Sequence, residues 1–181
     1  PDDLIGKYVP SFNHPVTLRQ IMTHSSGIRH YKPGEMNSMV RYSSVTEAIK
    51  VFKDDPLMFP PGTKTLYSTN AFNLLAGVIE SVSGMPLDLY LNENIFKLAK
   101  MTQSHLEYAE EIVPHRARGY ELRNNELRNA AYVDLSVKWL GGGMLSSAED
   151  LIRYNIALNQ GVLVKAESLK LMNTPGALND G

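Results

Sequence analysis

Residues 63–80, TKTLYSTNAFNLLAGVIE, set a polar cluster, Tyr67-Ser68-Thr69-Asn70, directly before an apolar run with helical spacing. Phe72, Leu75, Ala76, Ile79 and Val82 share one helical face, and Gly84 marks where the helix should stop. Ser68, Thr69 or Asn70 can cap such a helix, because a short polar side chain accepts a hydrogen bond from a first-turn amide. Tyr67 then either packs at the helix start or is presented to a ligand. The catalytic reading needs a basic amine beside it. A phenol with a pKa of about 10 is otherwise a poor base at neutral pH.

Outward from this stretch, helix signals dominate. Thr17 can cap a run with Leu18, Ile21 and Met22 on one face and Gly27 past its end. Ser44-Val45-Thr46-Glu47 has capping-box spacing before a stripe of Val45, Ala48, Ile49 and Phe52. Residues 54–63, DDPLMFPPGT, hold three prolines and cannot be helical throughout. Pro86 suits the first turn of a helix through Leu91 and Ile95. Ser146-Ser147-Ala148-Glu149 reads as a second capping box, opening a helix through Leu151, Ile152 and Leu158 towards Gly161. A last short helix is expected over 165–173. Residues 116–130, RARGYELRNNELRNA, read as a hairpin turning at Asn124-Asn125. Few segments read as buried central strands. The expected fold is a mostly α lobe with one β-hairpin, whose apolar faces want a partner sheet.

At 181 residues the chain is long enough for one domain with a sizeable core. A formal net charge of −1 offers no bulk attraction for nucleic acid or anionic membrane. No apolar run approaches the roughly 20 residues of a membrane span. With no cysteine, there is no disulfide, thiolate nucleophile or cysteine metal site. The start, PDDLIGKYVPSF, has neither the basic opening nor the apolar core of a signal peptide, and no initiator Met. The end, NTPGALNDG, carries no closing element. The whole of 1–181 is therefore expected to be the central part of a longer domain, truncated at both ends.

The chemistry-bearing residues are sparse. His14, His24, His30, His105 and His115 show no HExxH and no paired metal spacing, so neither metal nor cofactor is expected. His24 reads as architectural, near a helix end where its ring can bond the last carbonyls. Gly141-Gly142-Gly143 lacks both GxGxxG spacing and the Lys-Ser/Thr of a P-loop, so it reads as a tight turn letting backbone approach a neighbour. There is no GxSxG, no serine three residues before any lysine, and no KTG, since Lys64-Thr65 is followed by Leu66.

Three stretches, LRQIMTHSSGI, FPPGTKTLYSTNAFNLLAGVIESVSG and GGGMLSSAEDLIRY, resemble in their order the serine β-lactamase-like family. That family includes class C β-lactamases, D-alanyl-D-alanine carboxypeptidases and related esterases. SSVTEAIKVFKDDPLMFPPGTKTLYST, RARGYEL and AAYVDLSVKWLGGG are similar to its animal mitochondrial branch, where Tyr-Ser-Thr stands for the usual Tyr-x-Asn. The resemblance implies the α/β serine β-lactamase/transpeptidase-like fold, with its main antiparallel sheet largely missing here. It implies a serine hydrolase acting on a peptide, amide or ester through an acyl-serine. Tyr67 would be the catalytic proton shuttle and Thr69 the substrate-binding residue at the Asn position, while Asn70, one residue late, is not substituted for it. SxxK would lie before Pro1 and the KTG or HTG strand after Gly181. The resemblance further implies a mitochondrial location, with a bacterial periplasmic or secreted peptidase as the alternative, and a possible homo-oligomer or filament as a non-catalytic role.

Overall fold

The computed structural model describes residues 1–179. Short polar side chains cap its first three helices where the sequence places them. Thr17 opens α1 (Leu18–Met22) with a reciprocal box: its hydroxyl accepts from the Gln20 amide while the Gln20 side chain accepts from the Thr17 amide. Ser44 caps α2 (Val45–Ile49) through the Glu47 amide. Ser68 is the cap of α3 (Thr69–Ser83), its hydroxyl accepting from the Ala71 amide. Gly84 ends α3 in the left-handed region at φ 67°, a conformation that suits a residue without a Cβ. α4 (Leu87–Leu91) follows Pro86 and runs into a π-helical turn at Asn92–Phe96. α5 (Trp139–Gly142), α6 (Ala148–Asn159) and α7 (Ala166–Met172) complete the helices.

The strands are short. β1 (His105–Leu106) pairs antiparallel with β4 (Met144–Leu145), tying the segment after α4 to the segment after α5. β2 (Tyr120–Arg123) and β3 (Glu126–Asn129) form the expected hairpin. Its turn residues Asn124 and Asn125 both take positive φ, 50° and 62°, which matches the right-handed twist of the flanking strands. Among the described residues, these two ladders are the sheets.

α3 occupies the centre, packed against α1, α2, α4 and α5. Its buried face is Ala71, Leu74 and Ala76 with Asn70 and Asn73, joined in the core by Ile5, Phe12, Val16, Ile21 and Ile49. The core buries enough large apolar side chains, at about 1.5–3 kcal/mol each, to hold these short helices in place. No single helix among the described residues is long and apolar enough to cross a membrane.

Four local expectations are corrected. α1 stops at Met22, and His24, not Gly27, makes the first left-handed step after it at φ 56°. At Ser44 the box is only a cap, because Glu47 turns to Lys50 at 2.6 Å. The cap of α6 is Ser147, one residue later than the sequence pattern, with Asp150 at the third helical position. The shift follows from tertiary demand: Asp150 is fully buried and accepts from the Thr102 and Gln103 amides and the Ser104 hydroxyl. Finally, Phe72, Leu75 and Ile79 are half-buried against the core, while the exposed apolar row lies on α6 at Leu151, Ile152 and Ile156.

Candidate functional site

The proline-rich segment before α3 is laid along the loop that follows α1. The Met58 amide donates to the Gly27 carbonyl, Gly62 to Ser25 and Leu66 to His24, each at 2.8 Å. This antiparallel run delivers Tyr67 beside His24. The α3 start is then pinned from below: the Ser68 hydroxyl donates to the Arg29 carbonyl at 2.8 Å, and the Asn70 amide nitrogen reaches the Arg29 and His30 carbonyls at 3.4 and 3.3 Å. Asn70 is therefore spent inside the fold. It does not replace the residue at position 69.

Tyr67 stays 59% exposed, its ring lying between two imidazoles. The His24 centroid is 4.6 Å away and that of His30 5.5 Å. The Ser68 amide donates to His24 Nδ1 at 3.4 Å, and the Thr69 amide to His30 Nδ1 at 3.3 Å. Burial pushes both imidazoles below their ordinary value, and on His30 the Lys138 charge acts in the same direction. His24 is architectural as expected, but with a different partner: its ring holds the α3 start and contacts Tyr67, not the carbonyls of α1.

Lys138 and Tyr31 extend the cluster. The Lys138 ammonium lies 5.7 Å from the Tyr31 ring centroid, and the Tyr31 ring is 4.3 Å from His30. Burial lowers the Lys138 pKa, with Glu107 opposing. The Tyr31 hydroxyl is buried without a hydrogen-bond partner among the described residues. Burial raises its pKa; the Thr69 side chain is near enough to oppose the shift, although the two hydroxyls miss hydrogen-bond geometry.

Thr69 is buried at the back of the site, and Gly141 closes on it. A Cβ at Gly141 would stand 2.6 Å from Thr69 Cγ2 and 2.8 Å from the Thr69 carbonyl oxygen. The glycine run thus does what its sequence implied, bringing α5 backbone against α3. Gly141→Ala is expected to lower stability by about 1–3 kcal/mol and to displace Thr69, read as a lower midpoint in urea. An unchanged midpoint would show that the two helices part easily.

His24, Tyr67, Thr69, Phe72, Leu140 and Gly141 line a cavity of about 160 Å³. A larger groove of about 550 Å³ runs along the hairpin base between Arg116–Gly119 and Asn129–Val133. Its buried carboxylate, Glu107, is already paired with Arg116. The small cavity holds the closer set of proton-transfer groups.

The Beta-lactamase family model matches residues 1–180. The chain belongs to the beta-lactamase family. Over 135 residues it is 36% identical to the serine beta-lactamase-like protein LACTB, mitochondrial, of Homo sapiens, covering 74% of this chain and 24% of that protein. It is 30% identical over 177 residues to the putative penicillin-binding protein PbpX of Bacillus subtilis, covering 97% of this chain and 44% of PbpX. The chain thus spans less than half the length of these curated relatives. Its fold superposes on the penicillin binding protein from Bacillus halodurans with a TM-score of 0.85 at 26% identity, covering 99% of this chain and 57% of that one. A D-stereospecific amidohydrolase from Streptomyces gives 0.81 at 26%, over 96% and 57%. The β-lactamase/transpeptidase-like fold expected from the sequence is therefore the fold of this family member.

His30, Tyr31 and Lys138 were not singled out from the sequence. The two bonds that join the histidines to α3 cross 44 and 39 positions, and no local spacing signals them.

Proposed function

We propose that this chain is the central, mostly helical part of a serine hydrolase that cleaves a peptide, amide or ester through an acyl-serine intermediate. The observation that carries the reading is Tyr67, held exposed at the α3 start between two imidazoles in a chain matched by the family model. In this reading the serine and lysine of SxxK come from the polypeptide before Pro1. The KTG or HTG strand and the main sheet come largely from outside these residues. As the serine Oγ attacks the substrate carbonyl, Tyr67 takes its proton and passes it to the leaving nitrogen or oxygen. Water then hydrolyses the acyl-serine. Thr69 orients the substrate by hydrogen bonding, and the half-buried Lys138 keeps the surroundings cationic.

An active-serine probe, a fluorescent penicillin or activated ester, tests this. The full-length protein is expected to form a stoichiometric serine adduct that maps outside residues 1–181, while the 181-residue chain remains unlabelled. An adduct on a serine within this chain would overturn the placement of the nucleophile. Failure of the full-length protein to be labelled or to turn over would remove the hydrolase reading.

One observation favours a second reading, a self-assembling role with or without catalysis. The α6 row of Leu151, Ile152 and Ile156 is exposed and apolar, and a similar protein from Pyrococcus abyssi is an octameric penicillin-binding protein homologue. The mitochondrial address rests on the likeness to LACTB, and the periplasmic or secreted alternative on the bacterial relatives.

A further inference from the structure

His24 and His30 each hold the α3 start twice, once with the ring and once with the backbone. The His24 carbonyl accepts from the Leu66 amide and its Nδ1 from the Ser68 amide, so the residues on both sides of Tyr67 are tied to it. The His30 Nδ1 accepts from the Thr69 amide and its carbonyl from the Asn70 side chain. A helix leaves its first amides without intrahelical partners. Ser68 satisfies the Ala71 amide, and the two rings take the amides of Ser68 itself and of Thr69. His24 meets this demand from a left-handed backbone at φ 56°, a conformation uncommon outside glycine and retained where surrounding bonds enforce it.

We propose that His24 and His30 are positioning residues for Tyr67, clamping consecutive backbone amides through neutral imidazole Nδ1 atoms so that the tyrosine keeps its station only while both rings are uncharged. This rests on the reading of Tyr67 as a proton shuttle. A ring nitrogen accepts only when it carries no proton, so the clamp assigns the proton of each neutral ring to Nε2. The groups facing His24 are the rings of Tyr67 and Phe72. Those facing His30 are Tyr31, Tyr67 and the Lys138 ammonium, with the Arg29 guanidinium on the His30 carbonyl. None is a carboxylate that would favour an imidazolium, and the positive end of the 15-residue α3 disfavours one further. As pH falls through the lowered pKa values, each ring becomes a donor, faces a donor, and lets the α3 start move. A displacement of about 1 Å at a reacting group can cost roughly 10²-fold in rate.

Two arms test this. In the full-length hydrolase, His30→Phe keeps a ring but removes the acceptor, and turnover is expected to fall roughly 10²-fold. His30→Asn supplies a carbonyl acceptor that does not titrate near neutrality; it should recover most of that loss and weaken the acid limb of the pH–rate profile. Equal losses for Phe and Asn, or an unmoved acid limb, would overturn the clamp. The second arm needs no activity. In ¹⁵N spectra of the full-length protein, both rings should show the Nε2–H tautomer, and the Ser68 and Thr69 amide signals should shift with the protonation of His24 and His30 respectively. Nδ1–H tautomers, or amides blind to the titration, would overturn the clamp even if the hydrolase reading stands. A correct tautomer in a protein without turnover would leave the clamp in place and remove only the catalytic role of Tyr67.

Discussion

Tyr67→Phe in the full-length protein is expected to lower turnover at least about 10²-fold while moving the melting temperature little. The substitution keeps the ring between His24 and His30 and deletes one hydroxyl. That hydroxyl makes no hydrogen bond among the described residues, so its removal breaks no structural contact. General acid–base catalysis is commonly worth about 10²–10⁴-fold, or roughly 3–5 kcal/mol of barrier. Thr69→Ala should cost less, since it removes an orienting contact and no proton carrier. Turnover and thermal melts of the wild type and both variants, on one ester or peptide substrate, give the comparison. Normal turnover in a normally folded Tyr67→Phe protein would return the tyrosine to a packing role.

Arg29→Ala is expected to give the largest loss of stability, about 3 kcal/mol or more. Arg29 is 8% exposed and fully committed: Nε donates to Asp55 at 2.6 Å, the fork grips Glu35 at 2.6 and 3.0 Å, and two further bonds reach the His30 and Val51 carbonyls. Truncation leaves Glu35 and Asp55 short of their shared cation, with Lys32 covering only Asp55 at 2.8 Å. For a chain of this size such a loss corresponds to a melting temperature lower by roughly 6–12 °C. The pH dependence adds a second signature. Burial raises the Glu35 carboxyl, but bonds from Arg29 and the Lys32 amide bring it below its ordinary value. Lys32 and then Arg29 lower Asp55. Carboxylates depressed in the folded state contribute stability above their unfolded pKa and lose it as pH falls through the folded one. Wild type should therefore weaken as pH drops below about 4.5, and Arg29→Ala should weaken less steeply there. Parallel curves for the two proteins would show that the network is not coupled to stability. Because the Arg29 carbonyl also receives Ser68 and Asn70, the loss should loosen the Tyr67 station as well.

What the sequence made legible follows the range of the interactions. Thr17 and Gly84 were readable, and the α3 cap was narrowed to Ser68, Thr69 or Asn70, because a cap or a left-handed terminus is settled within a few residues. Asn124-Asn125 was readable for the same reason. Ser147 displaced Ser146 because the distant amides of Thr102 and Gln103 required a buried Asp150, which no local pattern announces. The roles proposed for Tyr67 and Thr69 come from the resemblance, since a tyrosine before a helix has no chemistry of its own. His30, Tyr31 and Lys138 reach the site only through the folding of the α1–α2 loop and the segment before α5 onto the α3 start. The apolar stripe at Phe72, Leu75 and Ile79 was correctly seen as a face, but other helices cover part of it.

The central claim is that the α3 start forms one wall of the centre in which an acyl-serine is made. The most direct measurement is a crystal structure of the full-length protein carrying a covalent serine adduct. The account predicts the Tyr67 hydroxyl within about 3 Å of the serine Oγ or the leaving-group position, with Thr69 facing the acyl group. An adduct on a serine remote from α3, with Tyr67 out of hydrogen-bond reach, would contradict it.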